Sequence, residues 1–132
     1  MSKASNYLED MVLNYIFKGQ SISQPTQLYI ALYRTNPTDS DTGSEVVGTG
    51  YTRQLITFNN PTQNTDRATI SNSARVEFPT AQSEWGEISY YGIRTARDGG
   101  NLLVYGAFNK PITISTGNKF IIDTGNLTIS VG

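Results

Sequence analysis

Two apolar runs joined by a loop with paired glycines constrain the fold of this chain most. The runs cover residues 85–93 and 102–106, both are rich in β-branched and aromatic residues, and Gly99 and Gly100 lie between them. Two strand-like runs on either side of such a loop predict a β-hairpin. Neither run concentrates reactive side chains, so the strongest signal in the chain is structural.

The composition excludes several kinds of chemistry. The chain has no histidine and no cysteine, the side chains most used as nucleophiles, as general bases near neutral pH and as zinc ligands. Ten basic and eleven acidic residues give a formal net charge of −1, so no long-range field steers the protein to nucleic acid or to an anionic membrane. We therefore expect that the protein is not an enzyme and binds no cofactor. Its partners are expected to be recognised through shape and hydrogen bonds.

The length of the chain predicts one domain over residues 1–132. No apolar run approaches the roughly 18 residues that a membrane-spanning helix needs. The start of the chain also lacks the basic-then-apolar order of a secretory signal. These features favour a soluble protein that is made in the cytoplasm.

Residues 2–19 are predicted to form one amphipathic helix. Ser2 or Ser5 can cap its start, and Gly19 after Lys18 suits its end. Two partners are open for its apolar stripe: the sheet of its own domain, which we favour, or a neighbouring subunit. The stripe consists of Leu8, Met11, Val12, Tyr15 and Ile16.

The remaining chain has the pattern of short strands separated by turns. Residues 28–32 are almost continuously apolar, which is typical of a central strand covered on both faces. In the last strand, Leu127, Ile129 and Val131 are expected to point to one face. One helix and about eight strands predict an all-β, jelly-roll-like antiparallel β-sandwich. The other predicted strands cover residues 51–58, 69–70, 75–78, 112–115 and 120–122.

Residues 35–50 are predicted to form a long exposed loop, because they hold one proline, three glycines and many polar residues. Asp39, Asp41, Gly43 and Glu45 alternate with hydroxyl residues in a way that distantly resembles the start of a calcium loop. The glutamate at the twelfth position and the flanking helices of such a loop are missing. We therefore expect a solvated acidic loop and no metal site.

Three motifs follow one another along nearly the whole chain. The first runs from the N-terminal helix through Pro25 to residues 28–38, LYIALYRTNPT. The second is GTGYTRQ at residues 48–54, and the third begins with VEFPTA and ends with GGNLL within residues 76–103. Their order resembles a family of small virion proteins of tailed bacteriophages. Members of that family are known as tail-fibre proteins or as jelly-roll capsid cement proteins, so the resemblance implies a structural protein of the virion.

Two functions fit this resemblance. The first, which we favour, is a capsid cement protein that binds the major capsid protein, since many weak contacts on a lattice add through multivalency. The second is a tail-fibre or baseplate component that binds another tail protein or a host glycan. We expect a homo-oligomer, with the helix and the 35–50 loop as contact elements. The predicted contact residues are Tyr7, Tyr15, Asn36, Pro37, Thr38, Asp39, Asp41 and Glu45.

A glycan site could use Trp85, Tyr90, Tyr91 and Arg94, which combine aromatic rings with a cation. The interpretation we favour is structural: Trp85 and one of the two tyrosines fill the core of the sandwich. A glycosidase would need only two carboxylates, but no acidic residue of this chain stands in a context that suggests a raised pKa.

Overall fold

The computed structural model describes residues 2–131. Within them the chain forms an antiparallel β-sandwich with one N-terminal helix, as predicted. The helix is α1 (Asn6–Lys18). The strands are β1 (Ser2–Ala4), β2 (Leu28–Tyr33), β3 (Gln54–Ile56), β4 (Thr62–Gln63), β5 (Ala68–Ser71), β6 (Val76–Glu77), β7 (Gly86–Arg94), β8 (Leu102–Ile114), β9 (Ile121–Ile122) and β10 (Thr128–Val131).

The strands form three antiparallel sheets. The largest has the order β1-β8-β7-β2-β3, the second β10-β5-β4, and the smallest β6-β9. The predicted hairpin is confirmed, because β7 pairs with β8 from Gly86 opposite Ile114 to Arg94 opposite Leu102. The strand predicted at residues 112–115 is not separate, since β8 continues to Ile114. β8 continues to pair with β7 on both sides of the register shift between Ile88 and Tyr90.

The core lies between the sheets and confirms the predicted central strand. β2 is flanked by β7 and β3, and Ile30, Ala31 and Leu32 are fully buried. Strand residues of all three sheets contribute to one apolar cluster, so the sheets share a single core. Its members include Ile30, Leu32, Ile56, Val76, Phe78, Trp85, Ile88, Tyr91, Ile93, Ile122 and Ile129.

The N-terminal prediction needs a correction, because residues 2–4 are not helical. They form β1, with Ser2 opposite Gly106 on β8. An extended segment here satisfies backbone groups along the edge of the sheet, and the helix can begin only after it. Ser5 is the N-cap, and its Oγ accepts a hydrogen bond from the Leu8 N–H at 3.1 Å. Gly19 ends the helix in the left-handed conformation, as predicted.

The prediction that the apolar stripe of the helix packs on the sheet of its own domain is also largely wrong. Leu8 packs against the core, but no residue of α1 is buried. At the start of the helix the Asn6 N–H donates to the carbonyl of Asp39 in the 35–50 loop at 2.9 Å. Most of its apolar stripe therefore faces away from the domain.

Two strand predictions fail in detail. The strand expected at residues 51–58 pairs with β2 only from Gln54 to Ile56. Tyr51 instead turns its ring into the core, where it lies edge-on to Trp85 at 5.5 Å between ring centroids. In β10, Leu127 precedes the strand and is buried with Ile129, but Val131 is 67 % exposed because it lies at the end of the strand, beyond the core.

Replacing Ser5 with alanine is expected to lower the free energy of unfolding by about 1–2 kcal/mol. Ser5 is buried, and its Oγ also donates to the carbonyl of Leu102 at 2.5 Å, so the change removes the cap and leaves that carbonyl without this partner. Urea denaturation measures the loss. Ser21→Ala is the control, because Ser21 is exposed. Equal stability of the two variants would contradict the role of Ser5.

Candidate functional site

Two features of the structure are candidates for function. One is a pair of buried arginines that hold two loops together at one end of the large sheet. The other is the exposed face of α1. Within residues 2–131, no acidic residues gather in a group of three or more that could hold a metal ion. None of the helices in that range is long and apolar enough to cross a membrane.

The arginine cluster consists of Arg53 and Arg94 with their partners. Both side chains are more than nine-tenths buried, and both donate to the carbonyl of Gly99, at 2.8 Å from Arg53 Nη1 and 3.3 Å from Arg94 Nε. Burial of two like charges needs compensation, because an unpaired buried charge is costly. Each arginine accordingly has its own carboxylate.

Arg94 at the end of β7 binds Asp41 with two parallel hydrogen bonds, at 2.8 Å from Nη1 and 2.9 Å from Nη2. Nη1 also donates to the Tyr33 hydroxyl at 2.9 Å, and Nη2 to the carbonyl of Gly100 at 3.1 Å. Burial by itself lowers the pKa of Arg94, but the bonds to Asp41 and Tyr33 outweigh it and raise that pKa above its ordinary value. The guanidinium is fully engaged inside the domain.

Arg53 before β3 is bound in the same way to Glu45, with Nε donating to Oε2 and Nη2 to Oε1, both at 2.9 Å. The hydrogen bond with Glu45 raises the pKa of Arg53. Nη1 donates to the carbonyl of Ala96 at 2.9 Å. The Tyr51 hydroxyl donates to the same carboxylate at 2.5 Å, so Glu45 binds two side chains of the segment that leads into β3.

The cluster holds the 35–50 loop and the 95–101 turn against the large sheet. The loop supplies both carboxylates, and the turn supplies the carbonyls. Arg97 adds a contact from the turn, with its guanidinium 4.9 Å from the centre of the Tyr29 ring. Both segments are thereby fixed in one conformation relative to each other.

The predicted solvated loop is therefore wrong for part of its length. Pro37 and Val46 are buried, and the Val46 N–H donates to the carbonyl of Leu32 at 2.9 Å, so the loop folds back along β2. The polar composition does not prevent packing, because Asp41 and Glu45 are neutralised by buried arginines.

The predicted contact residues differ in their exposure. Pro37 is buried, which contradicts a contact role, whereas the carboxylates of Asp41 and Glu45 bind Arg94 and Arg53, which gives both residues a structural role. Thr38 is partly buried, with a hydroxyl 2.6 Å from that of Thr42. The exposed members of the set are Tyr7, Tyr15, Asn36, Asp39 and Asp41.

The four residues considered for a glycan site do not form one. Trp85 and Tyr91 lie in the core, Arg94 is consumed by the arginine cluster, and Tyr90 is half-buried. The structural interpretation of Trp85 and one tyrosine is confirmed. Sequence reasoning missed the arginine cluster itself, although one signal was available: Arg94 directly follows an apolar strand segment, where a charge needs a partner.

The exposed face of α1 is the second feature. Seven of the eleven large hydrophobic side chains that residues 2–131 leave exposed lie between residues 7 and 22. Apolar surface gathered in one place marks an interaction site more reliably than the same residues scattered singly. We call Val12, Leu13, Tyr15, Ile16 and Phe17 the helix face; their side chains are 48–75 % exposed.

An open cleft of about 910 Å³ lies beside the helix face. Leu8, Val12 and Leu13 line it on the helix side, and Tyr105 and Val131 on the sandwich side. β1 and β10 border the cleft, and each is the outermost strand of its sheet. The two strands also contact each other, since the Ser130 N–H donates to the Ser2 hydroxyl at 2.9 Å, so the cleft lies between the helix and the place where the two sheets meet.

The domain is thus a β-sandwich that exposes an apolar helix face and two loops ordered by buried arginines. Such surfaces suit a protein that binds other proteins. The chain belongs to the family described as Podophage GP4 fiber I protein gp80, which it matches over residues 3–130. No curated protein sequence matches it. The protein is therefore a structural component of the bacteriophage virion, as the order of its three motifs implied.

The stability of the protein is expected to fall as the pH rises above about 10, where tyrosine ionises in an unfolded chain. Burial raises the pKa of Tyr51, and its bond to Glu45 raises it further. Burial also raises the pKa values of Tyr33 and Tyr91. A pKa raised in the folded state contributes stability below the unfolded-state pKa, and that stability is lost as the pH rises towards the folded-state value.

Urea denaturation across the alkaline range measures this dependence. Tyr51→Phe should make the alkaline loss of stability less steep, because one raised pKa is removed. Tyr15→Phe changes an exposed tyrosine and should keep the steepness of the wild type. If Tyr51→Phe and wild type lose stability in parallel, the Tyr51 hydroxyl is not held as described.

Proposed function

We propose that this protein is a subunit of the bacteriophage tail fibre that works by non-covalent contact rather than by catalysis. The observation that carries the proposal is the family match over residues 3–130, since the description of that family names a fibre. From the sequence alone, we favour a capsid cement protein over a tail-fibre component. The two roles make similar demands on the fold, and the family description favours the second.

The geometry supports a role in assembly. A subunit that fits against another protein binds more tightly when its contact segments are ordered beforehand, because less conformational entropy is lost on binding. The arginine cluster provides this order for the 35–50 loop and the 95–101 turn. The helix face provides apolar area. The absence of histidine and cysteine from the chain supports a role without catalysis.

The proposed partner of the loop is another tail protein rather than a host glycan. Three of the four residues that a glycan site would have used are buried in the core or in the arginine cluster. The loop still offers Asn36, Asp39 and Ser40 on its surface. These polar groups, held by the cluster below them, suit hydrogen bonding across a protein interface.

Localisation on purified virions tests the proposal. We expect antibodies against this protein to label the tail in electron micrographs, and the purified protein to co-sediment with isolated tails lacking it. Empty shells are the parallel sample in the same experiment. Labelling of the shell, with co-sedimentation on shells and not on tails, would replace the fibre assignment with the capsid cement function.

A pair of loop variants tests the surface. Asn36→Asp with Asp39→Lys should reduce sedimentation with tails while the fold, followed by circular dichroism, stays intact, because both side chains are exposed. Asn60→Asp with Asp66→Lys is the matched control, because it makes the same change of net charge at two exposed residues elsewhere. Equal sedimentation of both double variants would show that the loop does not contact the tail.

A further inference from the structure

The helix face requires a partner on physical grounds. A helix of 13 residues is marginally stable in water unless an apolar face is packed. Here the exposed apolar residues occupy two adjoining rows, since Val12 and Ile16 are four residues apart and so are Leu13 and Phe17. Phe17 is 75 % exposed. Both rows stay exposed from Val12 to Phe17.

The charges of α1 are separated along its axis. Glu9 and Asp10 lie near the start and Lys18 at the end. Two such helices side by side in parallel would bring like charges together, whereas an antiparallel pair brings opposite charges together and also opposes the helix dipoles. Neither Asp10 nor Lys18 takes part in any ion pair found within residues 2–131.

Asp10, Asn14 and Lys18 form one exposed row, because they are spaced by four residues. This row adjoins the row of Leu13 and Phe17. When two copies meet antiparallel, the same row of each copy lies on the same side of the contact. A two-fold axis at Asn14 then places Asp10 of each copy beside Lys18 of the other.

We propose that α1 is a self-association surface, on which a second copy of this chain packs its own α1 antiparallel about a two-fold axis at Asn14. Along the contact, the two Leu13 side chains lie next to the two-fold axis. The two Phe17 side chains lie farther from it, one at each end. Asp10 of each copy pairs with Lys18 of the other. The two Asn14 amides meet at the axis, where a polar pair selects one register.

The surface is self-complementary, which is the property of a two-fold interface. A pair of helices of this length buries less than the roughly 800 Å² per partner of a standard interface. We therefore expect a dissociation constant in the micromolar range for the free protein. The contact strengthens where several copies are held in one assembly.

Sedimentation equilibrium of the purified protein tests the proposal without any other virion component, so its failure is distinct from failure of the fibre assignment. We expect a concentration-dependent dimer for the wild type. Phe17→Asp should be monomeric, since it places two charges in the apolar contact. Val47→Asp is the matched control, because Val47 is another highly exposed apolar residue, and it should dimerise like the wild type.

A charge exchange tests the register. Asp10→Lys and Lys18→Asp should each weaken the dimer about tenfold, since each replaces two opposite-charge pairs with two like-charge pairs. An equimolar mixture of these variants should dimerise again, because both pairs are then complementary in the mixed dimer. Lys110→Asp is the control for a change of net charge, as Lys110 is exposed on β8.

Three results would overturn the proposal. The first is a monomeric wild type at millimolar concentration, and the second is a Phe17→Asp variant that dimerises like the wild type. The third is a mixture of the charge variants that stays as weak as each alone. A monomeric wild type whose sedimentation with isolated tails is lost in Phe17→Asp would assign the helix face to a different virion protein, and flotation with neutral lipid vesicles would assign it to a membrane surface.

Discussion

Replacing Trp85 with alanine is expected to lower the free energy of unfolding by about 3–5 kcal/mol, the usual cost of removing a large buried aromatic side chain. Trp85 is fully buried. Its ring lies edge-on to Tyr51, and its Nε1 donates to the carbonyl of Thr49 at 3.1 Å. A cavity in this place would separate the second motif from the core.

Urea denaturation of the Trp85→Ala variant measures this loss, with circular dichroism as the probe because the variant has no tryptophan. Trp85→Phe fills part of the cavity and should lose less. Gly48→Ala should destabilise through the same site, since a Cβ on Gly48 would lie 2.5 Å from Cδ1 of Trp85. A loss below about 1 kcal/mol for Trp85→Ala would mean that the ring is not a core element.

Replacing Arg94 with methionine is expected to cost about 2–4 kcal/mol, because it leaves the Asp41 carboxylate without its cation and removes the donor to the Tyr33 hydroxyl and the Gly100 carbonyl. The figure lies towards the low end for a broken buried ion pair, since the Asp41 side chain is 37 % exposed and water can reach it. Arg94→Lys should recover only part of the loss, because an ammonium group cannot form the two parallel bonds.

A double-mutant cycle with Asp41→Asn measures the coupling between the two residues. Hydrogen exchange of the Asn101 amide, which donates to the Thr95 hydroxyl at 2.9 Å, should also quicken in Arg94→Met as the turn loosens. Arg75→Met removes an exposed ion pair with Glu77 and should change stability by less than about 0.5 kcal/mol. If Arg94→Met were as mild as Arg75→Met, the cluster would not hold the loops.

The fold class followed from local patterns. The β7–β8 hairpin was predictable because two apolar strand-like runs flank a pair of glycines. β2 was predictable because its apolar run is nearly continuous, which only a strand covered on both faces can bury. The end of α1 at Gly19 was predictable because glycine adopts the left-handed conformation at no steric cost. Each of these signals lies within a few neighbouring residues.

The candidate site depended on contacts between distant residues. Arg94 and Asp41 are 53 positions apart, and nothing in a single sequence pairs one arginine with one carboxylate among eleven. The polar composition of residues 35–50 therefore predicts a solvated segment. The exposed tyrosines of α1 were predicted as contacts, and the structure leaves both of them accessible.

The sequence by itself determined that this chain forms an antiparallel sandwich with an amphipathic helix. The alternation of apolar and polar residues that distinguishes a strand from a helix is visible within short windows of the chain. Only the tertiary structure decided that residues 2–4 form a strand, since an extended segment of three residues exists only where the free edge of β8 pairs with it. It also decided which polar residues are buried and which apolar ones are not. Asp41 and Glu45 lie against the domain because buried arginines offset their charge, while the helix face stays uncovered because the three sheets already enclose a core.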